Sequence, residues 1–208
     1  MDFGLAALRR PGMTEGESMP SILLTGPAAE PITLAEAKQF LRVEHDDDDG
    51  VIAALIAGSR IHVETQTRRA LITQSWRLTR DAWPDCGWLA VLPVPLRTLD
   101  AARVYRLDGS TLALDVAAFA IDKIAAPARL AFTRGALPAP GRPIAGIEVD
   151  VTSGYGDADD VPEPLRQAIR LLVAHWYENR GLVAVGHDVA VLPQGASALI
   201  APYRVLAL

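Results

Sequence analysis

The residues that could do chemistry in this chain are few: four histidines (His45, His62, His175 and His187), one cysteine (Cys86), and a run of aspartates from Asp46 to Asp49. The histidines form no H-E-x-x-H pair, the spacing that would set two imidazoles on one helix face around a zinc ion. His175 lies beside the apolar stripe of a helix and reads as a packed or interfacial histidine, while His62, on a helix flank, reads as solvated. The acidic run invites a calcium loop. With Gly50 as the loop glycine, however, the first ligand place falls on His45 and the closing glutamate place on Ile56, neither of which suits the ion. Gly154-Tyr155-Gly156 follows a strand pattern and precedes a helix, as a dinucleotide fingerprint would, but the third glycine place is Asp159, and Asp157 and Asp160 would repel a pyrophosphate. There is no G-x-S-x-G, and Cys86 sits in a Pro-Asp-Cys-Gly turn with no histidine near it in sequence, a setting in which a thiol is inert. The reading is that of a protein that is not an enzyme, with no catalytic, cofactor-binding or metal-ligating residue and no cofactor.

Bulk properties narrow the class further. A chain of 208 residues fits one domain with extensions or two small ones, and 50% hydrophobic residues suffice for a core. The formal net charge of -5 disfavours wrapping nucleic acid, which needs clustered Lys and Arg. It still permits DNA to be surrounded without being held. A lone cysteine excludes an internal disulfide and fits synthesis in a reducing cytoplasm. The start is not a signal peptide, because the apolar stretch from Phe3 to Leu8 is short and Arg9 and Arg10 follow it. No apolar run reaches membrane-spanning length, so no membrane partner is expected.

The elements that would carry any surface can be read in order. Residues 1–31 have no sustained period and are punctuated by Gly12, Gly16, Pro20, Gly26, Pro27 and Pro31, an extended N-terminal arm. Thr33-Leu34-Ala35-Glu36 has the form of a capping box, in which Thr and Glu each satisfy a free amide of the other, and predicts a helix over 33–43 with Leu34, Ala37, Phe40 and Leu41 on one face. The aspartate run suits the positive end of a second helix over 48–70. Val51, Ile52, Leu55, Ile56, Ser59 and Val63 would face inward on it, and Arg60, Glu64, Arg68 and Arg69 outward. Residues 73–153 then read as a meander of short antiparallel strands: Trp76 and Leu78 alternating with polar residues, Trp88 to Leu92, Arg103 to Leu107 turning at Asp108-Gly109, Thr111 to Val116, Leu130 with Phe132, and Ile147, Val149 and Val151. A last helix is expected over 164–180, opened by Pro164, carrying Leu165, Ala168, Ile169, Leu172 and Trp176, and closed at Gly181. Residues 182–208 are apolar but broken, with a short turn or two near Ala196 to Ala201. The expected fold is α+β: a helical hairpin plus C-terminal helix forming a small bundle over residues 32–181, an inserted antiparallel β meander, and extended N- and C-terminal arms.

An apolar tail such as 182–208 either folds back on its own core or docks into a neighbour by filling a groove or adding a strand, and composition leaves both open.

Several stretches together resemble a phage family. They are Pro31-Ile32-Thr33-Leu34-Ala35-Glu36-Ala37-Lys38, Leu92-Pro93-Val94-Pro95-Leu96 leading into Arg103-Val104-Tyr105, Asp108-Gly109, Val149-Asp150-Val151-Thr152-Ser153-Gly154-Tyr155-Gly156, and Val161 to Ile169 running on to His175-Trp176-Tyr177-Glu178-Asn179-Arg180. In this order and spacing the chain resembles the head–tail connector (adaptor) proteins of long-tailed phages, prophages and gene transfer agents, over about residues 31–180 with an echo at 198–205. Phe119 stands where a tyrosine is commoner, Arg106-Leu107 replaces a more acidic approach to the hairpin turn, and the first thirty residues have no counterpart. The resemblance implies a structural subunit that forms a ring under the portal, with the portal's twelvefold symmetry. Such a ring extends the DNA channel, which DNA would pass without sequence-specific binding, and offers a surface to a stopper or tail-side protein. The protein would be made in the bacterial cytoplasm and built into the particle at the head–tail junction. It also implies that the C-terminal tail engages the portal protein, which makes Leu192, Leu199, Ile200, Tyr203, Arg204, Val205 and Leu206 the portal-binding candidates.

A closed ring is a heterologous assembly, so each subunit must present two different matching faces. The candidates for contact between neighbouring copies are Asp46, Asp47, Asp48 and Asp49 on one side and Arg60, Arg68 and Arg69 on the other. The rival readings are a small cytoplasmic enzyme with an unrecognised active site, which a deep pocket of converging polar residues would favour, and another tail-completion or stopper component, a class usually β-rich and without flanking helices. A nucleic-acid-binding regulator is opposed by the charge and by the lack of a basic helix.

Overall fold

The structure, a computed structural model, describes residues 21–179 and 193–206. The α+β expectation holds: a helical layer packs beside two antiparallel sheets. Helix α1 (Leu34–Leu41) opens with the capping box read from the sequence, Thr33 Oγ1 accepting from the Glu36 N–H at 3.1 Å and Glu36 Oε2 accepting from the Thr33 N–H at 2.7 Å. Helix α2 (Asp49–Thr67) stops before the expected Ala70, because Arg68 adopts a left-handed φ of 56° as its C-cap and Thr67 turns its hydroxyl back to the Val63 carbonyl. Helix α3 (Glu163–Glu178) and the short α4 (Gln194–Ile200) complete the layer. Their core is Ile32, Ile52, Ile56, Val63, Leu165, Ile169, Leu172 and, from α4, Ala196 and Ile200. The expected inward faces need two corrections: Phe40 and Val51 are exposed, each lying at the margin of its helix's buried stripe. The expected closing glycine, Gly181, lies outside the described residues.

The β region is not a simple meander. Its larger sheet comprises β1 (Ser21–Thr25), β2 (Gln74–Arg80), β4 (Leu96–Tyr105), β5 (Thr111–Leu114) and β8 (Ile147–Ser153), in the order β1-β2-β8-β4-β5. The late strand β8 lies between β2 and β4, a central place that buries its apolar positions Ile147, Val149 and Val151 completely. The smaller sheet comprises β3 (Trp88–Val91), β6 (Ala120–Asp122) and β7 (Ala128–Ala131), in the order β3-β7-β6. Between the sheets lies a second core of Leu78, Leu89, Val91, Leu130, Val149 and Val151, with Phe119 closing it. Residues 21–25, expected within the arm, form an edge strand instead: β1 pairs with β2 through Ser21–Leu78, Ile22–Arg77 and Leu23–Trp76. The β4–β5 hairpin turns at Asp108-Gly109 as its sequence requires, Gly109 taking φ 83° and Asp108 Oδ1 accepting from the Ser110 N–H at 2.9 Å. At Gly154 a side chain would run into the Ile72 carbonyl, so the Gly154-Tyr155-Gly156 segment is a close backbone crossing and no phosphate cradle.

Candidate functional site

The charged side chains singled out in the sequence are organised around a seam between the two cores. At this seam Glu64, one turn before the end of α2, accepts from Arg60 at 2.7 Å, from the Leu71 N–H at 2.9 Å and from the Gln74 amide at 2.7 Å. Arg60 was expected on the outer face. It is instead 9% exposed, its Nε reaching Glu30 Oε2 at 2.8 Å, because Glu30 and Glu64 together compensate a cation tucked against the sheet. Burial alone would lower its pKa, but the two carboxylates outweigh that and hold it raised. Arg69 is likewise held inside the chain, donating to the Tyr203 carbonyl at 2.7 Å and the Tyr155 hydroxyl at 3.2 Å. Arg68, exposed at the left-handed cap, has no ion pair among the described residues.

The aspartate run is similarly divided. Lys38 binds Asp46 at 2.5 Å and Asp49 at 2.7 Å, and these hydrogen bonds raise the lysine's pKa and lower that of Asp46. Asp48 Oδ2 accepts from the Tyr177 hydroxyl at 2.5 Å, tying the loop to α3. Asp47 is 96% exposed at its side chain. Among the expected inter-subunit charges, Asp47 and Arg68 therefore point to solvent, whereas Asp46, Asp48, Asp49, Arg60 and Arg69 serve contacts within the chain. His62 also departs from its expected solvated place. Its ring meets Trp176 edge-on at 5.9 Å, and burial lowers its pKa.

The C-terminal segment bridges both cores. Ile200 enters the helical core and Val205 the sheet core, with the Val205 N–H donating to the Thr67 carbonyl at 3.1 Å and Arg204 to Gln66 Oε1 at 3.3 Å. Of the portal-binding candidates, Ile200 and Val205 are thus buried in their own chain, Leu199 and Tyr203 are half-buried, and Arg204 and Leu206 are exposed, Leu206 at 74%. Leu192 lies outside the described residues.

The solvent face of the larger sheet carries an ion network. Asp150 on β8 takes a two-pronged bond from Arg77 on β2, at 2.7 and 2.9 Å, and a third from Arg103 on β4, while Glu148 Oε1 accepts from the Tyr105 hydroxyl at 3.0 Å. The Arg77 hydrogen bond is the main reason that the Asp150 carboxyl titrates below the usual carboxylate range. Its contribution to stability is therefore complete above the ordinary carboxylate pKa and is lost as pH falls through the lowered folded value. Asp150→Ala should cost about 2–3 kcal/mol in denaturant unfolding at neutral pH, since two arginines lose their bridging acceptor. The deficit should shrink toward zero in acid, where the native carboxylate is also neutralised; an equal deficit at both pH values would show that packing and not charge is lost.

Among the described residues no group of three or more His, Cys, Asp or Glu is placed to hold a metal ion, and no helix is long and apolar enough to cross a membrane.

Comparison with known proteins gives these surfaces their context. Residues 31–88 match the model of the phage gp6-like head-tail connector protein. No curated protein sequence matches. Among solved structures, a chain in the neck of an empty GTA particle computed with C6 symmetry superposes with a TM-score of 0.78 at 24% identity, covering 91% of this chain and 97% of that one. A chain of the virion of a native gene transfer agent (GTA) particle gives a TM-score of 0.76 at 25% identity, and one in the neck of a native GTA particle computed with C12 symmetry gives 0.74 at 26%, each with the same coverage. The matched sequence holds α1, α2 and the seam residues Arg60, Glu64, Leu71 and Gln74, so this part of the chain is similar to the head–tail connector family, and the fold agrees with the particle-neck chains over nearly the whole length.

Proposed function

We propose that the protein is a structural head–tail connector (adaptor) subunit that forms a ring under the portal, extends the DNA channel and joins the capsid to the tail. The observation that carries this reading is the agreement of the connector-family match over residues 31–88 with a fold shared along 91% of the chain with particle-neck subunits. In this reading residues 32–181 are the connector body and 182–208 the docking segment, which presents Leu199, Tyr203, Arg204 and Leu206 to the portal while Ile200 and Val205 anchor it. The partners are the portal protein, further copies of the same chain in a twelvefold ring, and a stopper or tail-side protein. The chain is made in the cytoplasm and ends in the particle at the head–tail junction. The net charge of -5 suits a passage through which DNA slides, because phosphates find no surplus of fixed cations to hold them.

The test is imaging of the purified chain mixed with its cognate portal. The expected result is a ring of added density on the portal's tail-facing end, with portal symmetry. A folded chain that leaves the portal bare at concentrations well above micromolar would count against the connector role.

A further inference from the structure

Among the described residues the larger sheet ends in two edge strands, β1 and β5, and their chemistry is complementary. Every residue of β1 is exposed, including Ile22 at 57%, and the strand carries no charge of its own. Natural edge strands of this apolar kind are normally blunted by charge or covered. Beside β1 lies a groove of about 530 Å³ between the strand and the outer flank of α2, floored by Leu23, Ile61, Trp76 and Leu92 and edged by Arg68. The Trp76 indole N–H is buried there without an acceptor among the described residues. At the far edge the β4–β5 hairpin projects Leu107, 87% exposed, with Asp108 beside it and Asp115 directly after β5.

We infer that β1 and its groove receive the β4–β5 hairpin of the neighbouring copy, so that the sheets of adjacent subunits join edge to edge. The inference rests on the ring reading above. The topology supplies the direction. All pairings in the five-stranded sheet are antiparallel, so its two edge strands run the same way. A neighbour brought alongside by rotation about a ring axis therefore sets its β5 parallel to β1, at the usual strand spacing of about 4.8 Å. Two different edges of one subunit then meet in a heterologous, head-to-tail contact, the kind that closes a ring. Chemistry favours this partner: the exposed Leu107 meets an apolar floor, and Arg68 at the groove meets residues 106–115 of the hairpin, in which the carboxylates of Asp108 and Asp115 outnumber the one cation, Arg106.

The test uses the full chain with Cys86→Ser, carrying Ile22→Cys and Ala113→Cys. Both positions lie on the solvent face of the sheet, opposite Arg77 and Arg103 respectively. The chain is assembled on the portal and treated with a short bismaleimide. The expected result is a ladder of cross-linked multimers, absent when either introduced cysteine is present alone. Rings that form on the portal without the ladder, or in which the thiol introduced at position 22 links to the portal or to a tail-side protein, overturn the inference and leave the connector role standing; a portal that stays bare overturns both. In parallel, Ile22→Lys and Leu107→Asp, which alter exposed side chains only, should each reduce ring occupancy at least tenfold with the monomer's melting temperature unchanged. Full occupancy by both variants would also overturn it.

Discussion

Glu64→Ala should lower the stability of the isolated chain by about 3–5 kcal/mol, the loss expected when one partner of a buried ion pair is removed. The carboxylate has three donors to satisfy: the Arg60 guanidinium, the Leu71 N–H and the Gln74 amide. Alanine strands the last two at Leu71 and Gln74, which are almost fully buried, and leaves Arg60 with Glu30 alone. Burial is the largest influence on the Glu64 carboxyl. It pushes the pKa up, and the Leu71 hydrogen bond and the Arg60 charge bring it only partly back. A raised folded pKa means that the folded state holds the proton more tightly than the unfolded chain does. This share of stability is therefore full below the ordinary glutamate value and is lost as pH rises through the folded one. Glu64→Gln, which cannot ionise, should gain on the native chain as pH increases across that window, while Glu64→Ala remains well below both. Urea unfolding across that pH range measures this. A loss under about 1 kcal/mol for the alanine variant would show that the seam is held by apolar packing, with the carboxylate incidental.

The same seam shows why part of the molecule was legible in its sequence and part was not. The capping box of α1, the apolar stripe of α3 and the Asp108-Gly109 turn are local signals, settled within a few residues by amide satisfaction, helical period and glycine's tolerance of positive φ. Arg60 and Arg69 look, by helix period alone, like an outer basic face. Their burial depends on Glu30, Tyr155 and Tyr203, which come from other parts of the chain and leave no trace in local spacing. The place of β8 at the centre of the sheet is nonlocal in the same way, because Ile147, Val149 and Val151 alternate with Glu148 and Asp150 just as a half-buried strand at any position would. β1 escaped notice because Ser-Ile-Leu-Leu-Thr has no alternation, and an edge strand exposed along its whole length has no inward face to impose one. The docking candidates followed from resemblance to the connector family, and that resemblance does not say which tail side chains point outward.

That division within the tail leads to the second large effect. Leu206→Asp should abolish or weaken portal binding at least tenfold while leaving the melting temperature of the free chain unchanged. Leu206 is 74% exposed, and in the docking role proposed for this segment a carboxylate there would have to be desolvated in the contact. Ile200→Ala should do the converse, costing about 2–4 kcal/mol of stability through the cavity it leaves beneath α3 and α4, with portal affinity preserved for the folded fraction. Truncation of the whole segment would merge the two effects, because Ala196, Ile200 and Val205 leave both cores with it and Arg69 loses the Tyr203 carbonyl. Thermal unfolding beside a pull-down on immobilised portal separates them. If Leu206→Asp binds as tightly as the native chain, the anchor lies elsewhere on the surface; Tyr203 and the exposed Arg204 head group are then the next side chains to change.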